Sequence, residues 1–198
     1  PNLARNFANH PKVVLTFVCD ILPSAFDRIE NIVTPTCIKT TNPEDVINSN
    51  EVEAIVIATP SSTHFELVRD ALLAKKHVFC EKPLTLDTSK DRELCELAKK
   101  FNLTLTVGFN FIFNNGIRKL KNLIHSQRLG QIYSITTKRT HMGPIREDTS
   151  VVWDLAPHDV AIINYLLNTS PKRISSVGSH PLGQDKPDIA FIHMFYTS

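Results

Sequence analysis

The 198-residue sequence predicts an α/β protein of two domains. Short apolar runs alternate with amphipathic helical segments over residues 1–107, which is typical of βαβ units and of a parallel sheet. After Gly108 the pattern changes, and the first strand candidate alternates its side chains between two faces, as in a sheet with one open face. We therefore expect a parallel-sheet domain over residues 1–107 and an α/β domain with a mostly antiparallel sheet over residues 108–198.

The elements of the first domain have separate signals. Residues 13–20 and 53–58 are continuous apolar runs, so they predict strands that are covered on both faces. Asn42, Pro43 and the two acids that follow provide an N-cap, a proline at the first helical position and a negative first turn, which predict a short helix. The remaining predicted strands are residues 36–39, 77–80 and 103–107, and the remaining predicted helices are residues 1–10, 24–30, 64–75 and 88–101.

The second domain is predicted to hold fewer elements. Helical periodicity covers residues 115–126 and 151–167, and a polar loop is expected over residues 141–150. Strands are predicted over residues 130–140, 174–177 and 189–196.

Composition excludes several classes of function. The formal net charge of +2 gives no electrostatic footprint for nucleic acid, and no apolar run is long enough to span a membrane. Nothing at the amino end is typical of a signal peptide, so we expect a cytoplasmic protein. The four cysteines are scattered, which favours reduced, buried thiols over disulfides or a metal site. They are Cys19, Cys37, Cys80 and Cys95.

The strand predicted at residues 77–80 continues directly into Glu81-Lys82-Pro83. Charged residues at the carboxyl end of a buried strand lie where open α/β sheets place their chemistry. The Lys82 ammonium is suited to holding a hydroxyl or carbonyl oxygen, because it offers donors and a mobile charge. The alternative is an ordinary strand-ending turn with solvated charges.

A second candidate site lies on the helix predicted at residues 151–167. Asp154 and His158 are four residues apart, so they share one helical face. Pro157 is tolerated if the helix begins shortly before it, which places both side chains near the amino end. Histidine is suited to proton transfer near neutral pH, and the carboxylate can orient it. The alternatives are a capping Asp with a surface His, or a metal site, for which a third ligand is lacking.

Asp20 is a candidate for a cofactor contact. None of the six glycines precedes Gly108, although a dinucleotide-binding βαβ unit needs a glycine-rich turn after its first strand. We expect that turn and strand to lie upstream of Pro1, and further strands downstream of Ser198. Asp20 would then lie about twenty residues beyond the turn, where an acid accepts from the ribose hydroxyls and repels a 2′-phosphate. This favours NAD over NADP, the alternative being an ordinary strand-ending Asp.

The sequence resembles the Gfo/Idh/MocA oxidoreductases along essentially its whole length. The resemblance rests on the joint order and spacing of several short motifs. These are Ala58-Thr59-Pro60 with His64, Glu81-Lys82-Pro83, Gly108-Phe109-Asn110 with Phe113-Asn114, and Asp154 with His158. Residues 143–159 are most similar to the branch that oxidises nucleotide-linked N-acetyl sugars, or their uronic acids, at the sugar 3-position. One departure is Ile112, where many members have Arg.

The resemblance implies a Rossmann-like first domain, NAD as the cofactor, and a role for each matched residue. Lys82 would hold the reacting hydroxyl beside the nicotinamide, His158 would be the general base, and Asp154 would contact the sugar and His158. Arg146 is a candidate for a substrate phosphate or carboxylate. The cofactor contacts implied are Asp20, Thr59, Pro60, His64, Glu81, Lys82, Pro83 and Asn110.

Together these observations predict an NAD-dependent dehydrogenase that oxidises a sugar hydroxyl. The alternatives are an aldose or inositol dehydrogenase of the same family, or a catalytically silent NAD-binding sensor. The open sheet face of the second domain predicts a homo-oligomer. The resemblance also predicts a cis peptide bond between Lys82 and Pro83.

Overall fold

A computed structural model describes residues 1–140, 150–183 and 185–197 of the chain. The chain divides into two compact units, Pro1–Val107 and Gly108–Ser198. The first unit contains four helices and five strands among its described residues: α1 (Asn2–Ala8), β1 (Phe17–Cys19), β2 (Ile38–Thr40), α2 (Pro43–Ile47), β3 (Ala54–Ile57), α3 (His64–Leu73), β4 (His77–Cys80), α4 (Thr88–Lys100) and β5 (Leu105–Val107). Two 3₁₀ helices, Pro23–Ile29 and Ser61–Thr63, complete it.

The core of the first unit lies around a three-stranded parallel sheet in the order β3-β4-β5. Helices α3 and α4 pack against each other and supply Val68, Leu72 and Leu94, which are fully buried. Because the three strands are parallel, their carboxyl ends meet at one edge of the sheet. That edge carries residues 58–63 after β3, residues 81–85 after β4 and Gly108 after β5.

Strands β1 and β2 form a separate two-stranded parallel sheet. Within the part of the chain that the structure describes, no strand ladder joins β1 to β3. The predicted full cover of residues 13–20 and 53–58 is therefore wrong: Val14, Cys19 and Val56 are exposed. A strand is covered only where neighbouring strands and helices flank it, and β1 and β3 are both edge strands of their sheets.

Three helices end in the same way without glycine. At the end of α3 the Lys75 N–H donates to Leu72 O at 3.0 Å and the Lys76 N–H to Ala71 O at 2.9 Å, with φ of 63° at Lys75. This is the Schellman pattern, whose left-handed position usually belongs to glycine. The corresponding left-handed residues are Asn102 after α4 and Gln127 after the helix Asn115–His125 of the second unit.

The second unit contains α5 (Asn115–His125), α6 (Val151–Leu167), β6 (Arg173–Ser179), β7 (Ile189–Phe195) and a 3₁₀ helix, Asn110–Phe113. Strands β6 and β7 pair antiparallel, as predicted for this sheet. One sheet face is linked to α6, since the Tyr196 hydroxyl donates to Asn164 Oδ1 at 2.6 Å. The other face is open to solvent, with Val177 at 71% and Phe191 at 66% exposure.

The strand predicted over residues 130–140 is not formed. This segment has no ladder partner among the described residues, so its alternating side chains do not belong to a sheet. It runs instead along one side of a cleft of about 960 Å³ whose other walls are α6 and β7. Side chains that alternate between two faces are not enough to form a strand, because a strand also needs a neighbouring strand for its backbone hydrogen bonds.

Candidate functional site

The turn after β4 places Glu81, Lys82 and Pro83 at the carboxyl edge of the parallel sheet, all three partly buried. The Glu81 N–H donates to Ile57 O at 2.9 Å, so the turn begins bound to the end of β3. The Lys82–Pro83 peptide bond is cis, which confirms that prediction. The tripeptide is thus part of the sheet edge and differs from a solvated surface turn.

His64, the first residue of α3, is only 1% exposed. Its Nδ1 lies 2.8 Å from Pro83 O and its Nε2 lies 2.9 Å from Thr59 O. The family resemblance implies that His64 lines the cofactor cleft. The structure places the ring inside the protein, where it joins the loop after β3 to the turn after β4, so its geometry suits a brace for those loops.

The far side of the Glu81-Lys82-Pro83 turn is fixed by Thr85, which the sequence analysis did not select. Thr85 is 2% exposed, and its Oγ1 lies 2.7 Å from Asp87 O and 2.8 Å from Asp91 Oδ1. Asp87 caps α4 by accepting the Ser89 N–H at 2.8 Å. The signal that could have found this anchor is Thr85-Leu86-Asp87 directly before a helix, since such residues favour caps.

Asp20 follows the last residue of β1, at the carboxyl end of that strand. Its N–H donates to Thr40 O at 3.2 Å and its Oδ1 accepts the Leu22 N–H at 2.9 Å, so the carboxylate has a defined position. Thr59 and Pro60 are exposed on the loop after β3. The hydroxyl of Thr63 lies 2.7 Å from Thr59 Oγ1 and holds this loop against the start of α3.

The cysteines differ from the prediction that all are buried. Cys37 and Cys80 are buried, whereas Cys19 and Cys95 are exposed, because Cys19 ends an incompletely covered strand and Cys95 lies on the outer face of α4. Burial, with a smaller contribution from Glu81, raises the pKa of the Cys80 thiol to about 12. Cys80 is therefore a packing residue beneath the Glu81-Lys82-Pro83 turn and no nucleophile.

Asp154 and His158 lie on successive turns of α6, and both are partly buried. Ser150 caps the helix by accepting the Trp153 N–H at 3.4 Å. Asp154 is in the first turn, as expected, but Pro157 lies inside the helix, since α6 already begins at Val151. The helix begins at Val151, as predicted, and it tolerates the one backbone hydrogen bond that the Pro157 nitrogen cannot donate.

Aromatic and charged side chains surround His158 within the second unit. The Phe111 ring lies 4.9 Å from the His158 ring at an interplanar angle of 79°. Arg139 donates to Asp159 through Nε at 2.8 Å and through Nη2 at 3.2 Å. No local pattern predicts this Arg–Asp pair, because its members are twenty residues apart.

Asn110 and Arg146 are the two remaining candidate residues. Asn110 is exposed and begins the 3₁₀ helix Asn110–Phe113. Arg146 lies outside the described residues.

Among residues 1–140, 150–183 and 185–197, no group of three His, Cys, Asp or Glu side chains could hold a metal ion. In the same residues, no helix is both long and apolar enough to cross a membrane.

Comparison with known proteins identifies relatives for both units. Residues 1–109 match the oxidoreductase family with an NAD-binding Rossmann fold, GFO/IDH/MocA, and residues 117–198 match the GFO/IDH/MocA C-terminal domain. The chain is 31% identical over 143 residues to myo-inositol 2-dehydrogenase from Thermotoga maritima, covering 70% of this chain and 43% of that protein. It is 28% identical over 189 residues to 2,7-anhydro-N-acetylneuraminate hydratase from Escherichia coli, covering 90% and 49%. The chain thus spans about half the length of the curated relatives it matches.

Solved structures show the same fold. A crystal structure of a candidate oxidoreductase from Magnetospirillum magnetotacticum MS-1 superposes with a TM-score of 0.88 and 26% identity, over 100% of this chain and 63% of that one. Apo scyllo-inositol dehydrogenase from Lactobacillus casei superposes with a TM-score of 0.75 over 90% of this chain and 55% of that one; its 20% identity supports the fold alone. Since the Rossmann-fold match by itself covers more than half of the sequence, this chain belongs to the Gfo/Idh/MocA family of oxidoreductases.

Proposed function

We propose that the protein is an NAD-dependent dehydrogenase that oxidises a hydroxyl of a cyclic polyol or sugar. The observation that carries the proposal is the anchoring of Lys82 at the carboxyl edge of the parallel sheet. Glu81 binds the end of β3, and the His64 ring lies 2.8 Å from the Pro83 carbonyl oxygen, so the residues flanking Lys82 are fixed. A single cation held at this edge of an α/β sheet is suited to binding a reacting oxygen.

The residues of the first unit fit an NAD cofactor. The Asp20 carboxylate ends β1, where it could accept hydrogen bonds from two ribose hydroxyls and would repel a 2′-phosphate. Thr59, Pro60 and Glu81 lie on the loops at the carboxyl edge of β3 and β4, and they would hold the cofactor together with Asn110. When bound, NAD supplies the acceptor for the hydride that leaves the substrate carbon.

We assign the chemistry of the chain itself to three side chains. The Lys82 ammonium donates a hydrogen bond to the substrate oxygen and stabilises the negative charge that develops there. A ring nitrogen of His158 accepts the hydroxyl proton. Asp154 shares the His158 face of α6 and contacts the substrate, and Arg146 remains a candidate for an acidic substrate group.

The names of relatives support a polyol as the substrate class. Two of them are a myo-inositol 2-dehydrogenase from Thermotoga maritima and an inositol 2-dehydrogenase from Rhizobium meliloti. A nucleotide-linked N-acetyl sugar, oxidised at its 3-position, is the second candidate, supported by the sequence of residues 143–159 alone. These relatives favour the cyclic polyol, because both carry its name.

The open face of β6–β7 supports a homo-oligomer. Val177 and Phe191 are paired across the two strands, and both are mostly exposed. An apolar sheet face of this kind is suited to contact with a second copy of the chain. Sedimentation of the purified protein tests this, and a monomer at all concentrations would contradict it.

The function is tested by incubating the purified protein with NAD and a panel of substrates, following NADH formation. The panel holds myo-inositol, scyllo-inositol, glucose, UDP-N-acetylglucosamine and its uronic acid. We expect NADH with at least one cyclic polyol, and slower reduction of NADP because Asp20 repels its 2′-phosphate. Turnover confined to the nucleotide sugars would select the second candidate, and no NADH with any compound would contradict the proposal.

A further inference from the structure

We propose that Phe111, Arg139 and Asp159 form a positioning chain that sets the orientation of the His158 imidazole. The proposal rests on the proposed function, in which His158 is the general base. It deepens that function by naming three residues that act through His158 and need not touch the substrate.

The positioning chain begins at Asp159, which follows His158 on α6. Consecutive helical side chains point about 100° apart, so Asp159 is directed away from the face that His158 shares with Asp154. Arg139 donates to both Asp159 oxygens, at 2.8 Å and 3.2 Å, in a bidentate pair. The two side chains are 26% and 18% exposed, so this pair is better shielded from solvent than a surface ion pair.

The same guanidinium also contacts an aromatic ring. Arg139 Cζ lies 4.6 Å from the centroid of the Phe111 ring. The guanidinium is therefore held in two ways, by hydrogen bonds from its nitrogens to Asp159 and by a cation–π contact with the Phe111 ring. A lysine could keep the charge but could not make both contacts, because it lacks the planar fork.

Phe111 passes this restraint to the imidazole. Its ring and the His158 ring are 4.9 Å apart at 79°, an edge-to-face contact that restricts rotation of the His158 side chain. A general base works only while its nitrogen stays within hydrogen-bond reach of the proton that it removes. The contact therefore favours the ring orientation needed for proton transfer.

Substitutions along the chain should lower turnover without weakening NAD binding. We expect Phe111→Leu to reduce kcat about tenfold, with the KM for NAD unchanged, and Phe111→Tyr to retain near wild-type kcat because the ring remains. Arg139→Lys and Asp159→Asn should give smaller losses in the same direction. Phe113→Leu is the matched control, because Phe113 lies in the same 3₁₀ helix and stacks with Arg118 instead.

Action through His158 is tested in a variant that lacks the base. In a His158→Gln background, Phe111→Leu should cause no further loss of kcat. A merely structural role would lower the residual kcat by the same factor in both backgrounds, and that result would overturn the proposal.

A measurement independent of activity separates this inference from the proposed function. Side-chain NMR signals of ¹³C,¹⁵N-histidine-labelled protein, assigned through His158→Gln, report the ring contact directly. We expect Phe111→Leu to shift the His158 ring signals and Phe113→Leu to leave them in place. Unmoved His158 signals in Phe111→Leu would overturn the inference even in an active enzyme, whereas absent wild-type turnover would overturn the proposed function alone.

Discussion

The Nδ1 atom of His64 lies 2.8 Å from the carbonyl oxygen of Pro83. The other ring nitrogen faces the Thr59 carbonyl oxygen at 2.9 Å, so one imidazole connects the loops that follow two neighbouring strands. Because the ring is almost fully buried, solvent cannot take its place beside either carbonyl oxygen. The candidate cofactor loops thus depend on a side chain beneath them.

His64→Leu should weaken both folding and cofactor binding. The substitution fills the site with an apolar side chain and removes the ring donor beside the Thr59 and Pro83 carbonyl groups, at a cost of about 1–3 kcal/mol for a buried group left unsatisfied. We expect the free energy of unfolding to fall by about 1–3 kcal/mol in urea titrations. We also expect weaker NADH binding by fluorescence titration.

His77→Leu is the matched control for that prediction. His77 begins β4, at the opposite end of the strand, where its exposed ring accepts one N–H, from Thr104 at 2.9 Å. The His77→Leu substitution should lower the free energy of unfolding by less than about 1.5 kcal/mol and leave the affinity for NADH unchanged. If His64→Leu bound NADH as tightly as the control, the brace would have no role in the cofactor site.

Lys82→Ala and His158→Ala should each lower turnover by about two to four decades, the usual scale for losing an acid–base group. The affinity for NADH should change much less, because most of the proposed cofactor contacts, among them Asp20, Thr59 and Glu81, remain in both variants. Steady-state kinetics and NADH titration of the same samples measure the two effects. Lys99→Ala, an exposed lysine in the last turn of α4, is the control, and wild-type turnover in either site variant would exclude the assigned role.

The sequence predicted the elements whose signals are local. Strand β4 and helix α6 have the predicted bounds, because an apolar run and a capped amphipathic helix are determined by neighbouring residues. The strand predicted for residues 130–140 is wrong because strand formation depends on a partner that is distant in the sequence. The same limit applied to the site: Lys82 and His158 belong to recognisable short motifs, whereas the bond from Arg139 to Asp159 is set by tertiary packing.

Gln127→Gly should stabilise the second unit. Gln127 has φ of 56° and occupies the left-handed position after α5, where a side chain costs about 1–2 kcal/mol and glycine does not. The greater freedom of glycine in the unfolded chain opposes this gain, so we expect a net stabilisation of about 0.5–1 kcal/mol. Thermal unfolding measures it, with Gln127→Ala as the control that keeps the strain; equal melting temperatures for the two variants would contradict the prediction.

Cys80 should resist alkylation in the native protein. Only the thiolate reacts, and a pKa of about 12 leaves very little thiolate near neutral pH; reactivity should rise as the pH is raised. Exposed Cys95 should react with iodoacetamide first, as peptide mass spectrometry can follow, and urea should remove the difference. Equal native labelling of the two thiols would show that the core beneath Lys82 is open.

In the proposed reaction a hydride passes from a polyol carbon to the nicotinamide, and His158 takes the hydroxyl proton. Its most direct test uses the most rapidly oxidised polyol of the panel, deuterated at the carbon that reacts. We expect NADH that carries the deuterium at the nicotinamide ring by mass spectrometry, and a loss of this transfer by about two to four decades in His158→Ala. Unlabelled NADH, or equal rates of deuterium transfer in His158→Ala and the wild type, would contradict this reaction.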